Sequence, residues 1–209
     1  MYKLCLCFAV FASLIINVVA VEQIKLPAPV KSGGKPLMTV LNQRASNRSF
    51  SKKELSLQQV SNLLWAAFGI NRPDGKRTAP TAMNSQEFDI YVAMKNGLYV
   101  YDPKANVLKK VLDKDIRAAC GTQKFHASAP VDLIYVVDFK RARYSGKEQK
   151  FYAGVDCGYI SQNVYLYCAS ENLSTVACGL VDRKKLAAEM KLGQDQAIVL
   201  TQPVGYPAK

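Results

Sequence analysis

The run Val131-Asp132-Leu133-Ile134-Tyr135-Val136-Val137 constrains the fold most, because an apolar, β-branched stretch of this length reads as a buried strand. Residues 150–170 form the longest helical candidate. Their apolar residues wrap around much of the helix surface, which fits a central helix buried on several sides and packed against a second subunit. With 49% hydrophobic and 21% charged residues in 209, the chain has material for one ordinary core, and no internal period suggests a repeat protein.

The remaining elements follow from local signals. Ser56 followed by Gln59 makes a capping box, and Leu57, Val60, Leu64 and Ala67 recur at helical spacing up to Gly69, where a left-handed stop is expected. This predicts a helix over 57–68, with Trp65 in the core. Phe88 to Met94 reads as a strand, separated by Asn96-Gly97 from a second strand, Leu98 to Tyr101. Asp113 to Cys120 reads as a short helix, Asp182 to Lys191 as another with an aspartate cap, and Ala197 to Thr201 as the last strand. The expected class is α+β. Residues 21–36, rich in Pro and Gly, read as an extended arm, and 37–209 as the folded domain.

The first twenty residues bear on location. Lys3, the apolar run Leu4 to Ile16 and the small residue Ala20 read as a cleaved signal peptide, giving a mature start at Val21 and no stable membrane insertion afterwards. The segment holds one lysine and no acid, so its removal lowers the formal charge of +12 by one. The basic excess is spread as short pairs such as Lys52-Lys53 and Lys184-Lys185. These read mainly as solvated faces, with two or three charges enough for a phosphate-bearing ligand and no nucleic-acid partner expected.

Four cysteines remain after the signal, Cys120, Cys157, Cys168 and Cys178, with no C-x-x-C spacing and one histidine, His126. A zinc site is not expected, and the disulfide pairing is open. His126 reads as a loop or packed residue. No side chain is assigned a catalytic role.

Three polar segments carry the chemistry. Arg44-Ala45-Ser46-Asn47-Arg48-Ser49-Phe50 offers guanidinium forks and hydroxyls suited to phosphate. Arg77-Thr78-Ala79-Pro80-Thr81-Ala82-Met83-Asn84-Ser85-Gln86 offers small side chains for close approach and amides for a heterocycle's edge. Ala177-Cys178-Gly179-Leu180-Val181-Asp182 is a tight turn whose backbone N–H groups can face an electron-rich atom.

These segments, with Gly97 to Tyr101, Gly158-Tyr159-Ile160-Ser161-Gln162-Asn163 and Pro203-Val204-Gly205-Tyr206-Pro207, resemble the flavin-dependent nitroreductase family, in its branch of short dehydrogenase-like members, over about Leu37 to Pro207. The resemblance implies noncovalent FMN, a central mixed sheet covered by helices, and a homodimer with two interfacial flavin sites. It assigns Arg44, Ser46 and Arg48 to the phosphate, ribityl and polar ring edge, and Pro80, Thr81, Ala82 and Asn84 to a loop supplied by the neighbouring subunit. Cys178, Gly179 and Leu180 map onto the turn over the ring, with the Gly179 N–H near flavin N5. The family's basic C-terminal stretch is shortened here, leaving Lys209 to replace it. Gly179 stands where many members carry a larger or acidic residue.

The implied reaction moves hydride from a reduced donor, NAD(P)H by family, to a nitroaromatic, quinone or related electrophile, both being small molecules. An azoline-type peptide dehydrogenase and a basic, flavin-free binding protein on the same fold are the alternatives. Export would separate the protein from cytoplasmic nicotinamide donors. Asn47-Arg48-Ser49 is a glycosylation sequon whose modification would obstruct the flavin segment, so the bacterial periplasm is the expected compartment.

Overall fold

The computed structural model describes residues 22–208. The expected signal peptide with its expected cleavage point, and Lys209, lie outside the described residues.

Seven strands form one sheet in the order β1-β4-β3-β2-β5-β7-β6. They are β1 (Gln23–Lys25), β2 (Phe88–Met94), β3 (Gly97–Asp102), β4 (Val107–Leu112), β5 (Val131–Asp138), β6 (Ser174–Thr175) and β7 (Gln196–Gly205). Every pairing is antiparallel, where a mixed sheet was expected. The physical reason lies between β5 and β7. The chain leaves β5 at Asp138 and, after α3 (Lys147–Ser170), β6 and α4 (Arg183–Glu189), enters β7 at Gln196, the partner of Asp138, so the two strands run in opposite directions.

The apolar run of β5 divides by strand period. Leu133, Tyr135 and Val137 join the larger core under α2 (Leu57–Phe68) and α3, while Ile134 and Val136 join a second core with Leu186 and Met190 beside α4. Covering on both faces explains why the strand is apolar throughout. Asp132, the exception, is fully buried and has a partner described below.

Helix α2 forms as expected, with Ser56 and Gln59 making the reciprocal capping box. Gly69 corrects the expected left-handed stop. Its φ is −72°, and a Cβ there would overlap the Trp65 ring and lie 2.7 Å from the Trp65 carbonyl oxygen, so close approach is what requires glycine.

Other expectations shift in detail. The arm is not separate from the fold: β1 pairs with β4, Leu26 is buried, and Ser61 Oγ donates to the Pro27 carbonyl at 2.6 Å. The hairpin turn is Lys95-Asn96, since Met94 pairs with Gly97, and Gly97 itself takes the positive φ of 142°. Between Asp113 and Cys120 only Arg117–Ala119 is helical, as a single tight turn. α1 (Leu37–Gln43) and the full length of β7 were not anticipated.

Helix α3 differs from the expectation of burial on several sides. One stripe, Ala153, Asp156, Cys157, Ile160, Val164 and Cys168, faces the core, while Phe151 and Tyr159 are exposed on the other side. All four cysteines of the described residues are free and buried.

Candidate active site

α1 ends at Gln43 because Arg44 turns extended, with ψ 121°, so the Arg44 to Phe50 segment runs out along the C-terminal half of α3. The Asn47 N–H donates to the Thr175 carbonyl at 2.9 Å, the Ser51 N–H to the Tyr206 carbonyl at 2.9 Å, and Phe50 is buried as the anchor. Between these fixed points Arg44 lies over the Tyr165 ring, 5.2 Å from its centre. Ser46 Oγ is 2.9 Å from Tyr165 Oη, and the same phenol oxygen accepts the Ala177 N–H at 2.8 Å. Arg48 is exposed and makes no ion pair among the described residues.

The turn after Ala177 is pinned from the other side by β7. Cys178 and Thr201 exchange both backbone hydrogen bonds, at 2.8 and 3.1 Å, and the Leu180 carbonyl accepts the Thr122 N–H at 3.0 Å. This leaves Gly179 and Leu180 exposed, with Leu180 at 65%. The Gly179 N–H makes no hydrogen bond among the described residues. A Cβ on Gly179 would meet only the end of Leu200, at 3.8 Å, so packing does not impose glycine and the face is open.

The third segment is held elsewhere on α3. The Ala82 N–H donates to Asp156 Oδ2 at 2.9 Å, and the Gln86 N–H to Thr81 Oγ1 at 2.9 Å. Met83, Asn84 and Gln86 all take left-handed backbone, with φ of 54°, 50° and 49°. Pro80 and Asn84 are exposed, and Met83 is 65% exposed. Asp156 and Tyr165 are nine residues apart on one helix, a rise of roughly 13 Å. No hydrogen bond joins this loop to the other two segments among the described residues. A single chain therefore assembles Arg44, Ser46 and Cys178 to Leu180, and leaves Pro80 to Asn84 apart.

Sequence reasoning missed one buried group beneath the turn. His126 and Asp132 are both fully buried, with His126 Nδ1 2.5 Å from Asp132 Oδ2 and the imidazole stacked on Phe125 at 4.7 Å. Burial pulls the imidazole down, but the Asp132 carboxylate and then the Cys178 thiol outweigh it and hold His126 at about 9. Burial pushes Asp132 up to about 6 against the pull of His126. A carboxylate within an apolar strand was the available signal, since it demands a nearby partner.

A concavity of about 410 Å³ lies between α1, α2 and α3, lined in part by Leu37, Val40, Trp65, Thr78 and Leu166. Lys35 at its edge is engaged by Gln43, the Ala169 carbonyl and Asn172, at 2.8, 3.1 and 2.7 Å.

A helix-covered sheet, a cationic and hydroxylic edge, and an exposed turn with a free N–H thus meet in one chain, an arrangement suited to an oxidoreductase. The Nitroreductase family profile matches residues 41–206, and the chain belongs to that family. A Methanocaldococcus jannaschii protein described as a nitroreductase is 29% identical over 180 residues, covering 81% of this chain and 90% of its own. A crystal structure of a Ralstonia eutropha protein of the same description is 39% identical, with a TM-score of 0.85 and 90% of each chain covered. NADPH:FMN oxidoreductase from Vibrio harveyi, at 18% identity and a TM-score of 0.64, shares the fold over 83% of this chain and 69% of its own. The protein is an oxidoreductase.

Proposed function

We propose that the chain is an FMN-dependent enzyme that passes hydride from a reduced donor, NAD(P)H by family, to a nitroaromatic, quinone or related electrophile, as a homodimer. One observation carries this reading. The Tyr165 hydroxyl joins Ser46 to the turn at 177–180, so a guanidinium, two hydroxyls and an unpaired backbone N–H lie along one edge.

The residues fit the group. Arg44 and Arg48 supply fork-shaped donors for a phosphate, while Ser46 supplies a neutral hydroxyl for the ribityl or ring edge. The open Gly179 backbone supplies a donor at the face of the ring without a side chain to block it. Bound FMN supplies two-electron chemistry at N5, and the protein binds, orients and partly desolvates it. Pro80, Thr81, Ala82 and Asn84 stand apart from that edge in one chain, which supports their delivery by a second copy. Export rests on the leader segment alone.

Purification tests the reading directly. A yellow protein with one FMN per chain, bleached anaerobically by a reduced donor and restored by a quinone or nitroaromatic, is the expected result. A protein that remains colourless after addition of FMN overturns it. A donor and acceptor screen on the loaded protein then identifies both substrates.

A further inference from the structure

The exposed turn at Cys178 to Leu180 is gripped at both ends by one short connection, Cys120 to Gln123, which joins the tight turns Arg117–Ala119 and Lys124–Ala127. The Cys120 carbonyl accepts Thr201 Oγ1 at 2.8 Å, and Thr201 exchanges both backbone hydrogen bonds with Cys178. The Thr122 N–H donates to the Leu180 carbonyl at 3.0 Å. Gly121 lies between these two holds.

Space, not backbone freedom, makes residue 121 a glycine. Its φ is not positive, yet a Cβ there would overlap Nε2 of the His126 ring and lie 2.5 and 2.8 Å from Cδ2 and Cε1. That ring has no room to give. It is fully buried, stacked on Phe125 at 4.7 Å, and held at Nδ1 by the equally buried Asp132, 2.5 Å away. Its other edge bears on the Gly121 backbone, and Nε2 has no hydrogen-bond partner among the described residues. The contact is therefore one of shape, and a close-packed interior passes such a contact on as displacement.

We propose that His126, fixed by Asp132, is the positioning residue of the exposed turn: its ring props Gly121 and so sets where Cys120 and Thr122 hold Gly179. The importance of this for flavin rests on the function proposed above. A backbone N–H aimed at a ring nitrogen acts through its distance and direction, so a prop behind it tunes that end of the flavin and leaves the phosphate end alone. Buried as it is, His126 positions the turn without touching flavin or substrate.

Gly121→Ala and His126→Asn test the prop from its two sides. The first adds a methyl against a ring that cannot move. The second keeps a donor for Asp132 at the Nδ1 position and removes the edge that meets Gly121. In the flavin-free protein, each is expected to shift the Gly179 and Leu180 amide resonances and to lower the exchange protection of the Thr122 amide by about tenfold, as for the loss of one hydrogen bond. The double variant, whose methyl fills the space left by the ring edge, should return these amides toward wild type, a rescue that general loss of stability does not give. Wild-type amides in both single variants, or a double variant further from wild type than either, overturn the prop, whatever FMN does. If neither single variant folds, the wild type decides. Nuclear Overhauser contacts from the His126 ring to the Gly121 α-protons with a protected Thr122 amide support the prop, and absence of either overturns it.

The flavin role has its own readout. In FMN-loaded protein the nitrogen resonance of flavin N5 should shift in the single variants and return in the double variant. Protein amides that move while N5 does not support the prop and overturn its flavin role. A protein that takes up no FMN overturns the function proposed above and leaves the amide results standing.

Discussion

Tyr165 Oη stands 2.9 Å from Ser46 Oγ while accepting the Ala177 N–H at 2.8 Å, so one phenol on α3 sets the spacing between two segments remote in sequence. Tyr165→Phe keeps the ring beneath Arg44 and removes only the hydroxyl. Loss of these two bonds is expected to weaken FMN by about 1 to 2 kcal/mol, roughly tenfold. Fluorescence titration of FMN into wild type and variant measures it, and unchanged affinity would separate this hydroxyl from the flavin site.

Arg44 reports on the phosphate. Arg44→Ala removes a charge-assisted pair worth roughly 1.5 to 3 kcal/mol for FMN, whereas riboflavin has no phosphate to lose. Parallel calorimetric titrations of the two flavins should show a large loss for FMN and a small one for riboflavin. Equal losses would assign Arg44 to some other part of the ligand.

The separation of Asp156 and Tyr165 along α3 bears on assembly. A chain that holds Arg44 and Gly179 at one end and Pro80 to Asn84 at another completes the proposed site only with a second copy. The exposed Phe151 and Tyr159 on α3 offer it an apolar surface, at 62% and 48% exposure. Light scattering of the FMN-loaded protein at low concentration should give a dimer. A monomer with full FMN occupancy would contradict the arrangement.

The His126–Asp132 pair makes stability depend on pH in a defined direction. Both folded values lie above the ordinary ones, so each group's contribution is complete in acid. Asp132's share is lost as pH rises through about 6, and His126's as pH rises from about 6.5 through about 9. The melting temperature should therefore fall across that upper range in wild type and lose this slope in His126→Gln. Asp132→Ala strands the imidazole without its partner at a cost of about 3 to 5 kcal/mol, to be measured by urea unfolding below neutral pH.

Much of this fold was legible because local signals and tertiary demands agree. The capping box at Ser56 and the apolar run at Val131 each correspond to one element in the structure. Gly69 was misread because a glycine after a helix signals positive φ, whereas here the Trp65 side chain folds back over the site of its missing Cβ. The sheet's direction depends on where the chain re-enters beside β5 after α3, β6 and α4, which local periodicity does not report. Within the site, the polar segments are visible as sequence, but Tyr165 is not. A tyrosine inside a helix reads as packing until the fold brings Ser46 and Ala177 to its hydroxyl.

Cys178 allows the redox route itself to be tested. A thiol next to a bound flavin could exchange electrons with it, which would replace direct hydride transfer. The structure argues against that geometry. Cys178 is 4% exposed, its Sγ donates to the Val176 carbonyl at 3.5 Å, and it packs with Phe50, Ala129 and Val176, behind the backbone that exposes Gly179. Cys178→Ser is close in volume and keeps a donor for the Val176 carbonyl. It should bind FMN fully and keep most of the anaerobic reduction rate, measured by rapid mixing with whichever reduced donor bleaches the wild type. Steady-state patterns with that donor and an acceptor should be parallel, as for two half-reactions at one site. Loss of reduction in Cys178→Ser, with FMN still bound, would instead assign the first electron transfer to the thiol.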